Sequence, residues 1–346
     1  MKRKLIATVA MALTATMMLS ACGNSSSSSS AAASTATSAG STAAATTNSD
    51  YPGNKNITLY CGYSAGGSSD TLCRLLAAKV SEKLGTTVTV ENVTGASGWV
   101  LWNQMMENTE PDGYSFFLIN SPNITTGKYD VDNPMKYDQN DFEMICNQVT
   151  DSNCLAIRVD DDRYSDWDSF SNYWKQEGVL ITSASGLGIT SDDATADMLV
   201  AKDLGTDVDI IASGGSGDNV TFLLNGTTDF LMGNVSEMVA AHNEGQYKIL
   251  CVFAEERDPN LPDVPTYEEL TGNPIVGCSS RGYAMLKDVP DDIKTILSDA
   301  VKAAVQDPDM IQQLNDIYTT TDYKEGQDYI DYMNEQQQQA RETWGA

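Results

Sequence analysis

The apolar positions between Ile57 and Val90 change their spacing twice. Ile57-Thr-Leu-Tyr-Cys61 is a β-rich run, and a loop of small residues, Gly62 to Ser69, follows it. Leu72, Leu75, Leu76, Val80 and Leu84 then recur at helical spacing, Gly85 stops the helix, and Thr87-Val-Thr-Val90 reads as a strand. This pattern predicts a βαβ unit. A second helix is expected around Val100 to Met106, a turn at Glu110-Pro-Asp-Gly113, and a strand from Tyr114 to Asn120 running into Ser121-Pro122. The order recurs further on. Val179 to Thr182 is a strand, Ser183 to Thr190 a loop and Asp192 to Leu204 a helix closed by Gly205. Val208 to Ala212, the loop Ser213-Gly-Gly-Ser-Gly217 and a helix from Asp218 to Asn225 repeat it once more. Three helices are expected in the tail, at Asp291 to Gln306, Pro308 to Tyr318 and Glu325 to Trp344.

Three small-residue loops thus leave the carboxyl ends of expected parallel strands and enter helices, which is where open α/β sheets hold their ligands. Together they predict one cleft between two such sheets. Glycine lets backbone approach a ligand, and the free N–H groups at a helix start favour an anion. Taken singly, each loop reads equally well as a tight connection with no ligand. The Gly186-Leu-Gly-Ile-Thr-Ser191 loop lacks the third glycine of a dinucleotide fingerprint, and no Lys-Ser or Lys-Thr pair completes a phosphate-binding loop. No cofactor is expected.

The amino terminus says where such a cleft works. Met1-Lys-Arg-Lys4 is positive, Leu5 to Leu19 is apolar and small, and Leu19-Ser-Ala-Cys22 has the form of a lipobox. Residues 1–21 read as a lipoprotein signal peptide, with Cys22 as the lipidated first mature residue; two acyl chains suffice for stable anchoring. Residues 22–54 read as a Ser/Ala/Thr tether with too few large apolar side chains to fold, reaching roughly 30 Å as a coil. The expected location is extracytoplasmic, on the cell membrane. Losing Lys2, Arg3 and Lys4 takes the formal charge from −27 to about −30, which excludes nucleic acid as a partner. Cys61, Cys73, Cys146, Cys154, Cys251 and Cys278 form no CxxC pair and read as buried thiols, with a Cys146–Cys278 or Cys61–Cys73 bridge as the alternative. The single histidine, His242, reads as a surface residue and provides no zinc site or Ser-His-Asp system.

These motifs resemble the substrate-binding proteins of tripartite tricarboxylate transporters, the TctC or Bug family, from Ile57 to the carboxyl terminus. The resemblance is carried by Gly66-Gly67-Ser-Ser-Asp70 with Arg74, Val90-Glu-Asn92, Gly95-Ala-Ser-Gly98, Pro111-Asp-Gly-Tyr114, the Gly186 to Gly188 loop, Leu224-Asn-Gly226 with Asp229, and Leu261-Pro-Asp-Val-Pro-Thr266. It implies a type II periplasmic-binding-protein fold, a Venus flytrap of two α/β domains closing on a small organic carboxylate for delivery to membrane permease subunits. Residues 55–150 plus 273–346 would form the first domain and 151–272 the second, in a monomer. The implied site takes Tyr63, Ser64, Ala65, Gly66, Gly67 and Asp70 from the first loop and Ser121 from the next strand end. Ser185, Gly188, Thr190, Gly214, Gly215, Gly233 and Asn234 would close from the second domain. For the hydroxyls among them, helix capping is the competing role. The chain departs from the family at Cys61-Gly62, Asp192 and Ala212-Ser213.

Arg281 has two readings. As a clamp it would hold a second carboxylate through parallel hydrogen bonds, so that Arg281→Ala weakens a dicarboxylate while sparing folding; otherwise it makes a surface salt bridge. The chain is not expected to be an enzyme. A lipid-anchored hydrolase would need Ser64 or Ser185 beside a base, and no Gly-x-Ser-x-Gly elbow is present. The same fold signalling to a membrane sensor kinase is the closer alternative.

Overall fold

A computed structural model describes residues 50–131, 134–184, 188–213 and 215–346. Cys22 and the rest of 1–49, with Ser185 and Gly214, lie outside the described residues. The first βαβ unit forms where its spacing puts it, as β1 (Ile57–Cys61), α1 (Ser68–Leu84) and β2 (Val88–Asn92). β1 and β2 run parallel with Ile57 opposite Val88. α1 buries Leu72, Leu76 and Val80 and ends at Gly85, whose φ of 64° is the left-handed cap that glycine adopts without a Cβ penalty. α2 (Trp99–Asn108) leads into β3 (Ser115–Ser121), parallel to β1 on its other side, and a one-turn α3 (Asn123–Thr126) follows.

The chain continues through β4 (Phe142–Arg158), α4 (Trp167–Glu177), β5 (Val179–Ala184), α5 (Asp192–Leu204), β6 (Asp207–Ala212), α6 (Ser216–Leu224), β7 (Leu231–Asn234), α7 (Val235–Asn243) and β8 (Tyr247–Val252). It closes with α8 (Tyr267–Thr271), β9 (Cys278–Leu286), α9 (Asp291–Val305), α10 (Pro308–Asn315), β10 (Thr321–Glu325) and α11 (Gly326–Trp344). The loops after β1, β5 and β6 leave parallel strands, as expected.

The long strand β4 organises the rest. Antiparallel β9 pairs with it from Phe142 to Ser152, and β10 from Cys146 to Val149. Beyond Asn153 the same strand carries antiparallel β7 and β8 instead. The sheet order is therefore β10-β4-β9-β3-β1-β2, with β7 and β8 on the far stretch of β4 and β5-β6 as a separate parallel pair. Three apolar clusters flank this frame. The first takes residues up to Val149 and from Tyr283 onward, including Trp102, Phe116 and Tyr329. The other two lie wholly between Cys154 and Tyr267, one around Phe170, Trp174 and Phe230, the other around Leu223, Val239 and Val252.

α11 lies over β4 and α3, but its last turns reach further. Trp344 Nε1 donates to Thr195 Oγ1 of α5 at 3.1 Å, and Gln339 Nε2 donates to the Val276 carbonyl at 2.7 Å. The strand β10, absent from the expected tail, inserts between α10 and α11. Cys61, Cys73, Cys146, Cys154 and Cys251 are buried free thiols, and Cys278 is free and half-buried. His242 is not a plain surface residue: it is half-buried, and its Nδ1 accepts from the Ile249 amide at 3.2 Å. No helix among the described residues is long and apolar enough to cross a membrane.

Candidate functional site

The loop from Gly62 to Gly67 passes so close to the start of α2 that a Cβ on Gly62 would lie 2.9 Å from Gly98 Cα. Gly66, at φ +85°, turns its amide back to Asp70 Oδ2 at 2.8 Å. Asp70 also accepts from Arg74 Nε and Asn92 Nδ2, each at 2.9 Å. Burial opposes its charge, yet Arg74, the Gly66 amide and Asn92 together hold its pKa below the usual carboxylate value. Asp70 thus shapes the loop from within. What the loop presents outward is the start of α1, with Gly67, Ser68 and Ser69, beside Tyr63 and Ser64. The α1 amino end carries no side-chain cap, so its amides remain available to an anion.

On the same cleft as this helix start stands Arg281 of β9. It is 5% exposed, and its Nη1 lies 3.5 Å from Asp151 Oδ2. Asp151 in turn accepts from the Ser236 amide at 3.1 Å and from the Ser236 hydroxyl. Burial works against the guanidinium, but Asp151, Glu237 and Asp192 around it raise its pKa, so it stays cationic. Burial raises the pKa of Asp151, partly countered by Arg281 and Ser236. Arg281 Nε is buried with no hydrogen-bond partner among the described residues. The surface-salt-bridge reading is therefore replaced by a buried pair, so removing Arg281 should cost stability by leaving Asp151 without its cation.

The second face of the cleft comes from the starts of α5, α6 and α7 and the end of β7. Ser191 caps α5, its hydroxyl accepting from the Ala194 amide at 3.2 Å. Asp192 Oδ2 accepts from Asn153 Nδ2 and Asn234 Nδ2, both at 3.0 Å. Asp193 Oδ1 takes a further bond from Asn153 Nδ2 at 2.9 Å, and burial beside Asp192, Asp197, Glu237 and Asp151 pushes its pKa well up. Glu237 reaches across, accepting from Ser68 Oγ at 3.2 Å.

Of the expected residues, Tyr63, Ser64, Gly67, Thr190, Gly215, Gly233, Asn234 and Arg281 line this one cleft of about 430 Å³, a size suited to a small molecule. Ala65 and Gly66 are exposed in the loop without lining it, and Gly188 turns the chain at φ 70° just before Thr190. Ser121 is fully buried and spends its hydroxyl on Gln336 and Thr125, so its neighbour Asn120 faces the cleft in its place.

A family model described as the tripartite tricarboxylate transporter family receptor matches residues 72–343. The chain belongs to this receptor family. It is 30% identical over 282 residues to the UPF0065 protein of the gbd 5' region of Cupriavidus necator, covering 81% of this chain and 83% of that one. A ligand-free TctC solute-binding protein from Polaromonas shares 26% identity at a TM-score of 0.69, covering 85% of this chain and 98% of that chain. An R. palustris protein solved with adipate has the same fold at a TM-score of 0.75 and 22% identity, covering 86% and 99%. Membership in the tripartite tricarboxylate transporter receptor family makes the chain a solute-binding receptor of the extracytoplasmic class, with the two-domain α/β fold of periplasmic binding proteins.

In this receptor the cleft residues that sequence reasoning passed over include Asn120, Asp193, Asn219, Glu237 and Ser279, and Asp192 entered only as a departure from the family. Asp192 and Asp193 stand in the first turn of α5, where acids are common whether or not a ligand is near. Only their position beyond a glycine loop hints at a second role.

Proposed function

We propose that this receptor captures a small organic carboxylate in the cleft and delivers it to membrane permease subunits. The observation that carries the reading is Arg281, a buried cation with an Nε donor unpartnered among the described residues, lining the same cleft as the uncapped start of α1. A carboxylate satisfies both at once, because it offers two acceptor oxygens and a negative charge. Adipate in the R. palustris neighbour is consistent with an acid in such a cleft. Closure follows by hinge motion between a lobe of residues 55–150 plus 273–346 and one of 151–272, with the chain crossing near Asp151 and again near Asn273. Ligand favours the closed form only through contacts made to both lobes, here Tyr63, Ser64 and Gly67 on one side and Thr190, Gly215, Gly233 and Asn234 on the other. Ser185, Gly188 and Gly214 belong to the same closing loops.

Thermal unfolding of the full chain in mild detergent, with mono-, di- and tricarboxylates in turn, tests this directly. A ligand at 100 times its dissociation constant adds about 2.7 kcal/mol, and a melting temperature unmoved by every acid sinks the proposal. Cys22 supplies the anchor in this reading. Cys22→Ser should move the protein from the membrane fraction to the soluble one, and a variant that still sediments with membranes excludes lipidation there.

A further inference from the structure

The charge lining the cleft is unsuited to a ligand that is only an anion. Among the described residues on it, Arg281 is the one cation, facing the acids Asp192, Asp193 and Glu237. Asp151 already answers Arg281. Asp193 is buried beside other acids, and neither Asp192 nor Glu237 makes an ion pair among the described residues. The amides of Asn153 and Asn234 orient Asp192 without neutralising it, and Glu237 has only the Ser68 hydroxyl. A second carboxylate brought in by the ligand meets like charge here.

Unpartnered atoms point the same way. Arg281 Nε is a buried donor without an acceptor, whereas Asn120 Oδ1 and Asn219 Oδ1 are buried acceptors without donors, on side chains 5% and 2% exposed. All three residues line the cleft. An amide oxygen accepts and never donates, so its partner in the ligand must carry hydrogen. A carboxylate has none to give; an ammonium has three.

We propose that the ligand of this cleft is a small zwitterion, a carboxylate joined by a short carbon chain to an ammonium group. Its carboxylate lies on Arg281 and the α1 start, and its ammonium lies toward Asp192 and Glu237. Arg281, Asp192 and Glu237 line the same cleft of about 430 Å³, so a ligand that spans them is short. Glu237 belongs to α7 and Ser68 to α1, so the ammonium binds where the lobes already touch. The inference rests on the carboxylate reading and narrows it.

Calorimetric titration of the full chain in detergent, with matched acids, tests it: propanoate against 3-aminopropanoate, butanoate against 4-aminobutanoate, and glutarate against glutamate. At least one aminated acid should bind tenfold or more tighter than its plain counterpart. Glu237→Gln, at an exposed position, or Asp192→Asn, which keeps the shape, should bring that pair within threefold. Plain acids binding as tightly as their aminated partners overturn the zwitterion and leave the carboxylate receptor standing. A tenfold preference unchanged in both variants overturns the placement of the ammonium. No binding by any of the six acids overturns the zwitterion, and the carboxylate receptor then stands or falls on the thermal series with larger acids.

Discussion

Replacing Arg281 by methionine should lower stability by about 3–5 kcal/mol at neutral pH and abolish carboxylate binding, while Asp151→Asn/Arg281→Met recovers most of the stability and none of the binding. Arg281 and Asp151 are both nearly fully buried, and their side chains meet across the β4-β9 ladder. Removing the cation alone strands a carboxylate that retains only the Ser236 amide and hydroxyl. Removing both charges leaves neutral groups, which cost little to bury when hydrogen-bonded. Urea denaturation of the two variants decides the matter. A double variant no more stable than the single one would mean that Arg281 acts through packing, and full ligand affinity in either variant would take it out of the site.

A second large effect is expected at Asp197. This α5 side chain is fully buried, and neither carboxyl oxygen has a hydrogen-bond partner among the described residues, so burial pushes its pKa well above the ordinary range. Its unfolded value is about 3.9. Above that value the unfolded chain has lost the proton while the folded chain still holds it. The stabilisation is therefore complete below about pH 4 and declines as pH rises toward the folded pKa, by about 1.4 kcal/mol per pH unit for one proton. Asp197→Asn has no proton to lose. Its stability should fall less steeply from pH 4.5 upward and exceed that of the parent chain at pH 7.5. Parallel pH profiles, from urea midpoints measured at unit steps between pH 4.5 and 7.5, would show that Asp197 is ionised in the fold and that water reaches it.

The helical and strand periods of residues 57–120 and 179–225 were readable because helices such as α1 and α5 repeat buried apolar positions at helical spacing and stop on glycine, and turns rich in glycine or proline separate the strands. β4 was not, although it is the longest strand. Asn147, Gln148, Asp151 and Asn153 interrupt its apolar run, yet all four are buried, where they bond to groups distant in sequence. Asp151 and Arg281 are 130 residues apart, so neither residue advertises the other. The loops that open on the cleft were legible from glycine content alone. The acids that give the cleft its sign were not, since a helix start attracts Asp and Glu whether or not a ligand is near. Ser121 and Asn120 show the finest limit: a one-residue step along β3 decides which side chain faces the cleft, and only the sheet resolves it.

The Gln336-Gln-Gln-Gln339 run seats α11 on β3, α3 and the approach to β9. Gln336 bonds to Ser121, Cys278 and Tyr332, Gln337 to the Thr125 carbonyl and Gln339 to the Val276 carbonyl. All of these partners are neutral. A strap of ion pairs would weaken as salt screens it, whereas neutral amide bonds carry no net charge for salt to screen. The carboxyl-terminal helix is thus riveted in place by uncharged bonds: its seat should hold as firmly in brine as in fresh water.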